Sequence, residues 1–280
     1  MFDFLQFGFM QRALVGGLMI AVICPVVGVF LVLRRLALIG DGMAHVAFGG
    51  IALGMFLNTQ RLPVKPYPVL TALGLCLLSA VGIHRLQRAR VYGDVAIAIF
   101  FSFGLALGVI FISLSRGFTV DLFTYLFGNI LLITPADLVL IAVLGVVILG
   151  AIALFYKELF FITFDEESAQ AGGVPVQTLN LLLIVLIALT VVVAMRIVGL
   201  LLVSALLVIP AATALQICRS FRQTIGMAVG LGVLAVMVGL FSAYRFDISA
   251  GGSIVVTLVV LFFTVLLGKS LNRSRLQSHR

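Results

Sequence analysis

Uncharged apolar runs long enough to cross a bilayer recur along this chain. They include Ala13 to Leu33, Val95 to Ser115, Leu138 to Tyr156 and Ile248 to Gly268. About 20 apolar residues in helical conformation span a hydrocarbon core, and within lipid the backbone must satisfy its own hydrogen bonds. With 63% hydrophobic and 10% charged residues, the chain has too little polar surface for a water-soluble globule of 280 residues. The runs reach the C-terminus, so the chain reads as an all-α polytopic membrane protein rather than a secreted one. Residues 1–12 are aromatic and lack a basic start, and no small-residue cleavage site follows, so no cleavable signal peptide is expected.

Nine spans are expected: 13–33, 36–57, 67–84, 94–115, 137–156, 178–195, 197–218, 224–244 and 248–268. An eight-span reading stays open, because the pair around Arg196 has almost no loop and forms either a tight hairpin or one bent element. Pro210 predicts a kink in the seventh span. A single transmembrane domain covers 1–280, without a soluble domain or an internal repeat. The net charge of +8 does not indicate a nucleic-acid partner, because the basic residues cluster at the ends of apolar runs. With the N-terminus outside, twelve of the eighteen Lys and Arg are cytoplasmic, among them Arg34, Arg35, Arg85, Arg88, Lys157, Arg219, Arg222 and Lys269. The bias predicts N-out, C-in. Cys24, Cys76 and Cys218 are scattered within apolar runs and are expected to pack as small hydrophobes.

Glycine pairs spaced by four, Gly50/Gly54, Gly104/Gly108 and Gly226/Gly230, predict close helix approach. The segment 117–134, with Asp121 and Asn129, is expected to be a short interfacial or re-entrant helix. The charged stretch of about 157–178 is expected on the cytoplasmic side. There Asp165, Glu166 and Glu167 read as the acidic first turn of a short helix closed by Gly172 and Gly173, against the alternative of an ordinary solvated loop.

Catalytic signatures are lacking. Gly268-Lys269-Ser270 resembles the end of a phosphate loop, but Phe263 stands where that motif needs glycine. Neither HExxH nor GxSxG occurs, and His84 and His279 fall at a span end and in the tail. Asp41 and His45 are the exception within the apolar runs. At four residues' spacing both lie on one helical face, and carboxylate oxygen with imidazole nitrogen is a ligand pair for a borderline divalent cation. The alternatives are interhelical glue, with Asp41 bonded to a neighbouring helix, and a proton relay in a secondary transporter. Two ligands are too few for a resident zinc site, and suit a transient one completed by water or a second subunit.

Four motifs then carry a family resemblance over essentially the whole chain. Residues 29–50, Val-Phe-Leu-Val-Leu-Arg-Arg-Leu-Ala-Leu-Ile-Gly-Asp-Gly-Met-Ala-His-Val-Ala-Phe-Gly-Gly, resemble the arginine-then-GDxxxH signature of the integral membrane permeases of zinc and manganese ABC importers. Gly93 to Gly108 is similar to the family's fourth-span pattern, and Tyr125 to Leu131 and Val198 to Ala214 complete the set. The resemblance implies a multi-pass protein of the prokaryotic plasma membrane, with the permease fold of the vitamin B12/iron-siderophore type. It implies a dimer with a second copy, a cytoplasmic ABC ATPase dimer that uses the ATP, and an extracytoplasmic metal-binding protein. This chain would then be no enzyme and hold no permanent cofactor, with Zn²⁺ or Mn²⁺ as cargo. Asp41 and His45 match the metal-pathway residues, and Asp165, Glu166, Ala169 and Gly172 fall in the loop that couples to the ATPase. Val120 to Gly128 and Ala44-His-Val are more similar to the zinc branch, with manganese or iron as the alternative cargo.

Overall fold

The computed structural model describes residues 8–60, 67–115, 126, 128 and 133–277. Every regular element among them is helical. In chain order these are α1 (Gly8–Leu33), α2 (Ala37–Thr59), α3 (Pro68–Arg88), α4 (Gly93–Leu114) and α5 (Pro135–Leu154). There follow α6 (Tyr156–Phe164), α7 (Glu166–Ala171), α8 (Val176–Val198), α9 (Leu200–Ile217), α10 (Phe221–Phe246) and α11 (Ala250–Gln277). All nine expected spans are present as helices. Eight satisfy both the length and the apolarity of a membrane crossing, and α9 supplies a shorter apolar helix from Leu202 to Ile217. The expected helix within 117–134 lies almost entirely outside the described residues. Cys24, Cys76 and Cys218 are free thiols, the first two fully buried.

The joint near Arg196 is one residue, Gly199, at φ 88° and ψ 151°. An L side chain rarely adopts that conformation, so glycine there ends α8 and starts α9 without a loop. Helix α9 continues through Pro210.

The helix ends sort into two groups. At one end, Phe221 of α10 packs its ring on Phe30 of α1 and on Tyr156, Phe160 and Phe164 of α6. Lys269 of α11 donates to Gln216 of α9 at 3.0 Å on the same side. Arg34, Lys157, Arg222 and Lys269 therefore share one end of the bundle, as the charge count required.

At the opposite end Asp137 is 1% exposed yet fully engaged. Thr134 and Asp137 form a reciprocal cap on α5: Asp137 N donates to Thr134 Oγ1 at 3.2 Å, and Thr134 N donates to Asp137 Oδ2 at 2.9 Å. Tyr67 donates its hydroxyl to Asp137 Oδ1 at 2.7 Å and so ties the start of α3 to α5. Asp137→Ala strips the cap and removes the acceptor of the Tyr67 hydroxyl, a loss of about 0.5–2 kcal/mol. Thermal unfolding in detergent should record it, with Tyr67→Phe costing less.

Helix α2 is the least apolar of the candidate spans and the most enclosed. Its neighbours are α3 on one side and α4 on the other, with α8 and α9 closing the rest. Lipid gives helices no hydrophobic reason to associate, so this contact depends on close backbone approach. A β-carbon at Gly50 would fall 2.5 Å from Ala72 Cα of α3, and one at Gly104 would fall 2.5 Å from Val46 Cα of α2. Gly226 and Gly230 do not follow this pattern. Nothing lies within 4 Å of a β-carbon at either, so that expected contact is not used within the chain.

Candidate functional site

Asp41 occupies the second turn of α2 and His45 the third, on one face of a continuous helix. Both are partly buried. Asp41 is close enough to act electrostatically on the imidazole, and among the described residues neither side chain makes a hydrogen bond or an ion pair. The glue reading asked Asp41 to bond a neighbouring helix, and no such bond is found there.

His45 opens onto a cavity of about 180 Å³ lined by Ala44, His45, Phe48, Leu105, Leu126 and Leu200. That volume admits several waters. Among the described residues its wall is apolar apart from the imidazole, and Asp41 sits one turn away toward Arg34 rather than on the wall. Phe101 of α4 fixes the imidazole from the side, with ring centroids 4.1 Å apart and planes tilted by 46°. Leu105 and Phe101 both come from the Gly93–Gly108 segment, so the fourth-span motif walls the site.

No group of three or more His, Cys, Asp or Glu able to hold a metal occurs among the described residues. One chain therefore presents a sparse pair, which releases an ion more readily than a closed four-ligand site.

The stretch expected as the coupling loop is ordered. Helix α6 covers Tyr156–Phe164 and buries Leu159 and Ile162, and α7 covers Glu166–Ala171. Asp165 is the N-cap of α7 and accepts from Ser168 N at 2.9 Å. Ala169 is fully buried and pins the helix, Glu166 and Gly172 are exposed, and Gly173 turns the chain at φ 81°. The Ser168 hydrogen bond, through its contacts to the carboxylate, holds Asp165 below the ordinary carboxylate range. A depressed folded-state pKa stabilises the cap above the unfolded value of about 3.9 and loses that contribution as pH falls further. Asp165→Ala should therefore weaken hydrogen-exchange protection of the α7 amides at pH 7. The difference from the parent should shrink as pH drops below about 4.

The sequence did not single out Arg34 as a site residue, although it stands in the arginine pair preceding GDxxxH. In the structure its guanidinium turns inward to Glu166 and Asn180. Partners 132 and 146 residues away leave no local trace.

Comparison with known proteins agrees with this architecture. Residues 6–269 match the ABC 3 transport family. The manganese transport system membrane protein MntC of Listeria innocua is 31% identical over 94% of this chain and 91% of its own length. The high-affinity zinc uptake system membrane protein ZnuB of Haemophilus influenzae is 34% identical over 92% of this chain and 96% of its own. The solved structure of PsaBC from Streptococcus pneumoniae, in complex with a Fab, superposes with a TM-score of 0.82 at 36% identity, covering 94% of this chain and 93% of that one. The chain belongs to the ABC 3 transport family, as a multi-pass cell-membrane permease.

Proposed function

We propose that this permease carries Zn²⁺ across the membrane as part of an ATP-driven importer, with Asp41 and His45 as transient ligands on the path. The observation that carries the reading is the placement of His45 on the cavity wall of the most enclosed helix, with Asp41 one turn away and neither satisfied by a hydrogen bond among the described residues. A buried polar pair in lipid is costly unless something compensates, and a passing cation does so.

The chain's own part is to shape the conduit. The end carrying Arg34, Lys157 and Arg222 faces the cytoplasm, where α7 meets an ABC ATPase dimer that hydrolyses the ATP. A second copy of the permease and an extracytoplasmic metal-binding protein complete the importer. Asp165, Ala169 and Gly172 give α7 its shape and seat, and Glu166 joins it to the rest of the chain. Zinc is favoured by the nitrogen ligand, for which it outranks manganese in affinity. The Listeria relative, named for manganese, supports Mn²⁺ as the second reading.

Uptake of labelled zinc and manganese by cells lacking their own importers, with the permease and its partner subunits restored, tests this. ATP-dependent zinc uptake that persists in excess manganese is the expected result. Accumulation of manganese alone would favour the second reading. Uptake that survives loss of the ATPase and collapses with the proton gradient would make the chain a secondary transporter.

A further inference from the structure

One guanidinium closes a three-member ring between distant parts of the chain. Arg34 Nη2 donates to Glu166 Oε2 at 2.8 Å, Arg34 Nη1 donates to Asn180 Oδ1, and Asn180 Nδ2 donates to Glu166 Oε1 at 3.1 Å. Arg34 ends α1, Glu166 is the first residue of α7, and Asn180 lies in the first turns of α8. The Arg34 side chain is 9% exposed and that of Glu166 47%. Among the described residues this is the one side-chain ion pair. An arginine serving only to orient the protein would hold its head in water or among lipid headgroups. This one is turned into the fold.

Its position in the chain gives the ring a consequence. Arg35 follows in the left-handed region at φ 57°, and Leu36 N bonds back to Leu31 O at 2.9 Å, so the connection into α2 is a tight fixed turn. Helix α2 begins at Ala37 and reaches Asp41 and His45 within three turns. Helix α7 is only six residues long and has one fully buried side chain, Ala169, so the ring is a principal attachment between it and the rest of the bundle. Glu167, Ser168 and Gln170 stay exposed on its surface.

We infer that Arg34, through Glu166 and Asn180, is the positioning residue that makes α7 and the α1–α2 joint move as one body. A displacement of α7 is then delivered to the helix that carries Asp41 and His45. The inference rests on the transport reading above and adds the mechanical link. A planar guanidinium fixes both distance and direction to its two acceptors, which a lysine ammonium does not. Glu166 is half exposed, so water replaces its carboxylate beside Arg34 when the ring is opened from that side and the fold stays in place.

The test uses the whole importer reconstituted in proteoliposomes, reading zinc moved per ATP hydrolysed. Arg34→Lys and Glu166→Ala should each lower that ratio about tenfold, within the span of ordinary coupling energies. Exchanging the charges, Arg34→Glu with Glu166→Arg, should restore the ratio to within about threefold, because the Asn180 amide can turn over and serve the exchanged partners. Should Arg34→Lys fail to reach the membrane, Glu166→Ala decides alone, since its side chain is half exposed. An unchanged ratio in Glu166→Ala overturns the inference while leaving zinc transport standing. A parent complex that hydrolyses ATP without moving metal overturns both.

Discussion

His45→Ala lowers metal uptake about 10- to 100-fold or more at unchanged abundance in the membrane, since even outer-sphere changes around a metal cost that much. The expectation follows from geometry. Among the described residues the imidazole is the one polar side chain on the cavity wall, and no cluster of further ligands stands ready to replace it. Asp41→Asn should act in the same direction. It keeps the shape of the side chain and removes the charge. A unit charge about 4 Å from a monovalent ion is worth roughly 4 kcal/mol at an effective dielectric of 20, and more for a divalent ion. Uptake assays paired with quantitative immunoblots measure both variants. If Asp41→Asn transports normally, the carboxylate is no ligand and the conduit lies elsewhere.

Gly104→Val should prevent accumulation of folded permease, the largest structural effect expected of a single substitution here. An added β-carbon meets Val46 Cα at 2.5 Å and both His45 O and Val46 N at 2.6 Å. All three are backbone atoms, so no rotamer change relieves the overlap and α4 must withdraw from α2. Overpacking of a single methyl typically costs about 1–3 kcal/mol, which sets the expectation for Gly104→Ala, and a branched side chain adds further overlap. Withdrawal of α4 also pulls Phe101 off the imidazole, so Gly104→Ala should lose transport before it loses stability. Thermal unfolding in detergent, alongside uptake, separates the two effects. A Gly104→Val protein with the parent's melting point would contradict the close α2–α4 contact.

Much of the architecture was legible because lipid restricts a chain so severely. Once lengths of apolar sequence are seen, helices follow, and α2 and α8 begin and end within a few residues of the expected 36–57 and 178–195. The Asp41/His45 pair was visible because ionisable groups within apolar runs are rare. The acidic turn before Gly172 marked α7 in the same way. Other features could not be read locally. Tyr156–Phe164 looked like the tail of a span running into a loop, since its Phe160, Phe161 and Phe164 carry no amphipathic signal; burial of Leu159 and Ile162 makes it a helix. Asp137 was placed at the start of a span, but its acceptor role toward Tyr67, seventy residues earlier, is purely tertiary. Arg34 was read as an anchoring charge. Its inward turn depends on partners delivered by α7 and α8.

The same physics accounts for α2 being the least apolar of the candidate spans. A helix that faces other helices on nearly every side need not be strongly apolar, and it is where glycine and polar residues are tolerated. Low apolarity with high enclosure thus sets apart the helix that carries Asp41 and His45.

X-ray absorption at the zinc edge, on the assembled importer trapped during turnover, addresses the ligand assignment most directly. The expected spectrum is that of a zinc with imidazole nitrogen and carboxylate oxygen at about 2.0–2.2 Å, the imidazole signal vanishing in His45→Ala and the shell changing in Asp41→Asn. A trapped zinc whose coordination is identical in the parent and both variants would show that the ion passes without touching either residue.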